Sequence, residues 1–116
     1  MKNYTSNGAV LDHVASADLT GGAPVVMGDS VGVAVADIAT GSTGAVAVEG
    51  VYELPKATGT AWTQGAAVDF DASEGAFTVN LSATTGDVTG VGIAAADAPA
   101  AATVGLVKLA NPGAAA

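Results

Sequence analysis

Val68-Asp69-Phe70-Asp71-Ala72-Ser73-Glu74-Gly75-Ala76-Phe77-Thr78-Val79 is the stretch that decides the fold class. Ahead of the central Ala-Ser-Glu-Gly, Val68 and Phe70 alternate with Asp69 and Asp71. After it, Phe77 and Val79 alternate with Ala76 and Thr78. Side chains along a strand point to opposite faces in turn, so a period of two predicts a strand with one face buried. Two such runs joined by a short polar turn ending in Gly predict a β-hairpin.

The same period continues on both sides of the hairpin. Val31, Val33 and Val35 alternate with Gly32, Ala34 and Ala36. Over 45–54, Val46, Val48, Gly50, Tyr52 and Leu54 share one face, with Ala47, Glu49, Val51 and Glu53 on the other. That reading predicts the longest strand of the chain, half buried and ended by Pro55. Val91 and Ile93 alternate with small residues, and Val104, Leu106 and Lys108 alternate with Gly105, Val107 and Leu109. Turn signals stand between these runs at Gly21-Gly22-Ala23-Pro24, Gly28-Asp29, 40–44, 84–87 and 97–100. Residues 94–102 are rich in Ala, but the stretch is short and Pro99 interrupts it, so no helix nucleates there. The expectation is an all-β chain of about six to eight short strands, forming a small antiparallel barrel or sandwich, with a β-tulip-like arrangement included. Residues 1–20 read as an extended N-terminal arm, with room for one short edge strand. Residues 21–109 read as the β domain, and 110–116 as a flexible tail.

Composition narrows the function classes. The chain has 116 residues, the length of one domain. Eleven Asp and Glu stand against three Lys and no Arg, for a net charge of -8. Such a surface cannot neutralise phosphates, which argues against nucleic acid as a partner. The absence of Cys removes disulfides, thiol nucleophiles and cysteine metal sites. No apolar run nears the roughly 18 residues of a membrane span, so no membrane partner is expected. Residues 1–7 have no apolar core behind them and do not read as a signal peptide. With 27 Ala, 16 Gly and only 2 Phe among the residues, the core must be thin and built mostly of Val. A core of that kind gains less from burial than one of Leu and Phe, and burial against a partner would add to it.

Few residue groups invite a chemical reading. Asp69, Asp71 and Glu74 offer three hard oxygen ligands near one turn, the best case for calcium, though the spacing is not that of an EF-hand. The plainer reading is a wet strand face and a polar turn. Glu49 and Glu53 lie ~13 Å apart on one strand face, too isolated for paired-carboxylate hydrolysis and read more simply as solubilising charges. His13 sits beside Asp12 with no nucleophile elbow anywhere in the chain. Gly28 to Gly32 and Gly90 to Gly92 lack the lysine and the following helix of a phosphate loop. Trp62 is the single large aromatic in a connection, and it suits either a lid on the core or a partner contact. No catalytic residue, metal or cofactor is expected from these groups.

Taken in order, several segments resemble a known family. They are Lys2-Asn3-Tyr4, Ala23-Pro24-Val25-Val26-Met27-Gly28, Val31-Gly32-Val33-Ala34, Glu49-Gly50-Val51-Tyr52-Glu53-Leu54-Pro55-Lys56-Ala57, Ala61-Trp62-Thr63-Gln64-Gly65, Phe70-Asp71, Phe77-Thr78, Val91-Gly92-Ile93-Ala94 and Val107-Lys108-Leu109. Their order and spacing, from about residue 2 to 109, resemble the capsid cement or head decoration proteins of tailed bacteriophages. That resemblance implies a small β-rich virion protein, made in the host cytoplasm and placed on the outer surface of the head. It implies no enzyme activity and no cofactor. It implies binding to the major capsid protein across the seams between its subunits, and association with itself, commonly as a homotrimer. On that footing the contact residues are expected in an arm over 2–12 (Lys2, Asn3, Tyr4, Val10 and Leu11). Tyr52, Leu54, Lys56 and Trp62 follow as second choices. The other readings are a calcium- or carbohydrate-binding β module for host-surface attachment and, with least support, a small hydrolase using Glu49 and Glu53.

Overall fold

A computed structural model describes residues 9–110 and 112–116 of the chain. Ten strands make up the described structure: β1 (Val10–Val14), β2 (Pro24–Met27), β3 (Ser30–Ala34), β4 (Thr43–Ala47), β5 (Glu49–Pro55), β6 (Ala67–Asp71), β7 (Ala76–Thr78), β8 (Val88–Ala94), β9 (Val104–Ala110) and β10 (Ala114–Ala115). They form two antiparallel sheets, in the orders β1-β4-β3-β2 and β5-β9-β8-β6-β7, with β10 alongside β8. A parallel bridge from Lys56 to Phe77 brings the end of β5 against β7, so the second sheet curls toward a closed barrel. The all-β antiparallel expectation is met.

The hairpin that opened the reading is β6–β7. Phe70 stands opposite Phe77, with ring centroids 5.0 Å apart and planes tilted by 57°. Both rings are buried with Val68, and full burial of each such side chain is worth about 1.5–3 kcal/mol. Asp69 departs from the wet face assigned to it: it is 9% exposed, and its carboxylate accepts the Leu81 N–H at 3.1 Å and the Gly90 N–H at 2.8 Å.

Two other expectations change, and the short edge strand allowed for in the arm is present. The long strand over 45–54 is two strands in two sheets, broken at Val48. Just beyond the break Gly50 takes φ +111°, a conformation that side chains with a Cβ rarely adopt, and the chain crosses there between sheets. Of the segment read as an arm, residues 10–14 are a full edge strand, with Val10 to Val14 registered on Ala47 to Thr43. Residues 112–116, read as a loose tail, hold a defined place. β10 pairs with Val88 and Thr89, and Gly113 and Ala115 donate N–H groups to the backbone oxygen and the Oδ1 of Asp29. The tail thereby ties the β2–β3 turn of the first sheet to β8 of the second.

The two halves of the chain share one plan. Matching β1, β2, β3 and β4 to β5, β6, β8 and β9 converts the first strand order into the second. The loops match as well. Leu19 and Ile38 exchange backbone hydrogen bonds at 2.8 and 2.9 Å, as Trp62 and Ala98 do at 3.0 Å. Gly22 donates to Ala34 at 2.7 Å, as Gly65 donates to Ala94 at 2.8 Å, with φ of +88° and +91°. Asp37 Oδ1 accepts the Gly21 N–H at 2.8 Å, as Asp97 Oδ1 accepts the Gln64 N–H at 2.7 Å. Even the cores correspond. Ala15, Val25, Ala34, Ile38 and Val46, with Leu19 and Met27 against them, occupy the places of Lys56, Val68, Ala94, Ala98, Val107, Trp62 and Phe70. The first half is the plain version, with a tight β2–β3 turn; the second inserts β7 and the loop after it.

Candidate functional site

Lys2, Asn3 and Tyr4 lie outside the described residues. Val10 and Leu11 are on β1, 42% and 45% exposed, and already hydrogen-bonded in register to β4. They point to opposite faces of the first sheet. Val10 joins Tyr52 in lining an apolar cleft of about 380 Å³ between the halves, completed by Gly22, Val33, Ala34, Val35 and Ala47. Tyr52 is half-buried, and its hydroxyl donates to the Glu49 carbonyl at 2.9 Å. Two residues chosen separately from the sequence therefore meet at one apolar surface.

The other three contact residues are corrected by their burial. Leu54 is 1% exposed, Trp62 3% and Lys56 4%, so none of them presents its side chain to a partner in the folded subunit. The alternation that exposes Val51, Glu53 and Pro55 turns Tyr52, Leu54 and Lys56 inward. Trp62 is the plug of the second half. Its Nε1 donates to the Ala96 carbonyl at 3.1 Å, its ring lies in the space left by the missing Cβ of Gly105, and the Lys56 ammonium sits 5.6 Å from the ring centroid. Lys56 Nζ also donates to the Ala57 carbonyl at 3.0 Å. A buried ammonium needs partners of this kind, and here a carbonyl and an indole face supply them.

Two of the three carboxylates of the calcium reading, Asp69 and Asp71, are engaged with the backbone. Asp69 holds the loops at Leu81 and Gly90. Asp71 Oδ1 accepts the Ser73 hydroxyl at 2.7 Å and the Ser73 N–H at 3.1 Å, closing its own turn. Among the described residues no three His, Cys, Asp or Glu side chains gather in a metal-holding group. A polar cleft of about 370 Å³ beside this turn is lined by Thr58, Thr60, Asp71, Glu74, Asn80 and Ser82 among others, with no histidine on it. Glu49 and Glu53 stand exposed on β5, and His13, half-buried, stands on β1 opposite Gly44.

Aspartates fasten the loops elsewhere too. Asp87 is buried, and its carboxylate accepts the Thr84 N–H at 2.9 Å, the Ala72 N–H at 2.9 Å and the Thr84 hydroxyl at 3.3 Å. The Thr84 N–H first, and then that of Ala72, holds its pKa below the ordinary aspartate range. The Thr40 N–H and hydroxyl lower that of Asp18 in the same way. A depressed folded pKa gives stability that is whole above the unfolded value of about 3.9 and is lost as pH falls through the folded value. The chain is therefore expected to lose stability on acidification below about pH 4. Urea midpoints measured against pH should fall less steeply there for Asp87→Asn than for the unaltered chain.

The sequence reading missed an exposed apolar surface. Val51, Ile93, Val104 and Leu106 face outward from the second sheet, each between 39% and 53% exposed. The signal was present, because three of these four occupy the wet side of an alternation whose dry side is equally apolar. The family model described as phage cement protein matches residues 5–109 of the chain. No curated protein and no solved structure matches it.

Proposed function

The chain belongs to the phage cement protein family, a family of structural capsid components, and we propose that it clamps the outer surface of a phage head across the seams between major capsid subunits. The match over residues 5–109 carries this reading. A packed head is under outward pressure, and the seams are where the shell parts. A subunit that binds both sides of a seam binds only the intact arrangement, and it stabilises that arrangement by its differential affinity. Copies associated as a trimer, at threefold or quasi-threefold positions, grip several capsid subunits at once, so modest contacts multiply.

Features of the fold support this role. The apolar cleft holding Val10 and Tyr52 suits an apolar side chain of the capsid. Lys2, Asn3 and Tyr4, outside the described residues, are assigned to further contact with the shell. A surface of net charge -8 fits a basic capsid patch and keeps unbound copies apart.

Purified chain mixed with undecorated heads should pellet with them. Removing residues 2–8 leaves the strand pairing of β1 in place and is expected to weaken that binding at least tenfold. Unchanged binding after the deletion would remove Lys2, Asn3 and Tyr4 from the contact. No pelleting of the unaltered chain would refute the capsid reading itself.

A further inference from the structure

The second half departs from the shared plan at one place. The first half turns directly from β2 to β3 through Gly28 and Asp29, whereas the second adds β7 and a loop before it reaches β8. That addition builds the polar cleft of about 370 Å³. Glu74, Thr78, Asn80 and Ser82 come from it, and Thr58 and Thr60, just past β5, complete the lining with Asp71. Asp69 pins the wall by accepting the N–H of Leu81, which also lines the cleft. Asn80 turns the chain there with a φ of 55°, a left-handed conformation that Asn bears better than most residues with a Cβ.

The acceptors on this wall are only partly used. Thr78 stands opposite Asp69 on β7 and is 9% exposed, yet its hydroxyl has no hydrogen-bond partner among the described residues. No described side-chain polar atom is sealed from solvent without a partner, so this hydroxyl opens on the cleft that Thr78 lines. A polar group so deeply placed gains from any ligand that reaches it. Asp71 gives Oδ1 to its own turn and leaves Oδ2 unpaired. The exposed Glu74 carboxylate is unpaired as well, and no Lys or His side chain lines the cleft.

The surplus of acceptors and negative charge calls for a cation with several donors. A bare metal ion fits poorly, because calcium takes many oxygens converging on one point and no three acids gather among the described residues. The volume is that of a site for a small organic group. A guanidinium matches it best: its planar fork of N–H donors spreads over separate acceptors, and it sheds water more readily than an ammonium does.

We infer that the cleft built by the insertion takes an arginine side chain from the protein surface this chain binds, with the guanidinium between Asp71 and Glu74 and the Thr78 hydroxyl accepting a further N–H. The inference rests on the capsid reading only for the source of the arginine.

The probe is N-acetylarginine amide, titrated into the full chain while the backbone amide resonances are followed by NMR. The signals of residues 74–82 should move and saturate. Glu74→Gln should weaken binding about tenfold, the worth of one charge-assisted hydrogen bond. Circular dichroism checks the fold, and should Glu74→Gln disturb it, Thr78→Val, which removes only the hydroxyl, replaces it with a loss in the same direction. Resonances that do not move would overturn the site. Equal shifts with uncharged N-acetylcitrulline amide would overturn recognition of the cation, and equal shifts with N-acetyllysine amide would overturn the choice of arginine. A Glu74→Gln chain that loses the probe but pellets with heads as well as the unaltered chain would overturn the assignment to the capsid contact and leave the capsid reading standing. A chain that binds the probe as described yet never pellets with heads would leave the cleft standing and refute the capsid reading.

Discussion

Replacing Trp62 by Ala is expected to destabilise the chain by about 3–5 kcal/mol, the cost typical of emptying a buried aromatic site. The indole is 3% exposed and closes the barrel of the second half. Without it the Ala96 carbonyl loses its donor, the Lys56 ammonium loses the ring face beneath it, and the hollow at Gly105 has nothing to fill it. The flanking backbone is fixed by the exchange of hydrogen bonds between Trp62 and Ala98, so the site has little freedom to collapse. A small domain has only about 5–15 kcal/mol of stability to lose, so this one change threatens the folded state. Urea unfolding should show the midpoint fall; a shift worth less than 1 kcal/mol would mean the ring is not the plug described here.

Gly105→Ala attacks the same contact from the other side. A Cβ at position 105 would overlap the Trp62 ring, which is flat, rigid and held by its own hydrogen bond. The expected cost is about 1–3 kcal/mol or more, as for other overfilled cores. The duplicated plan supplies a control. Gly44 occupies the equivalent place in the first half, and a Cβ there would press on the side chain of Ile38. An isoleucine can change rotamer and yield where an indole cannot, so Gly44→Ala should cost less than Gly105→Ala. Equal costs, measured by unfolding the two variants side by side, would contradict this assignment of the ring.

How much of this was legible in the sequence depends on the range of the interaction. The β6–β7 hairpin was, because alternation, turn and pairing are all local. The split at Val48 was not: Val46 to Leu54 keeps its period across the break, and only the partners β1, β3 and β9 reveal that the chain has changed sheets. Asp69 read as a solvated acid and Asp87 and Asp97 only as turn residues, because the amides they hold lie 12 to 33 residues away in the chain, apart from that of Thr84 beside Asp87. The duplication left faint traces, such as Ala-Asp pairs ahead of Leu19, Ile38 and Ala98. It hides otherwise, because Trp62 stands where Leu19 does, Lys56 stands where Ala15 does, and the second half carries the extra strand β7. Of the contact residues expected from the sequence, Val10, Leu11 and Tyr52 keep exposed surface. Leu54, Lys56 and Trp62 are buried within the second half instead.

Two sheets built on one four-strand plan are tied by the tail at Asp29 and fastened by aspartates at their loops. The account comes down to mechanical reinforcement, and one measurement reaches it directly. DNA-filled heads without this protein are heated while DNA release is followed, with purified chain added back in steps. The release temperature should rise with occupancy and level off when the sites are full. Heads that bind the chain to saturation and still release DNA at the undecorated temperature would contradict the claim.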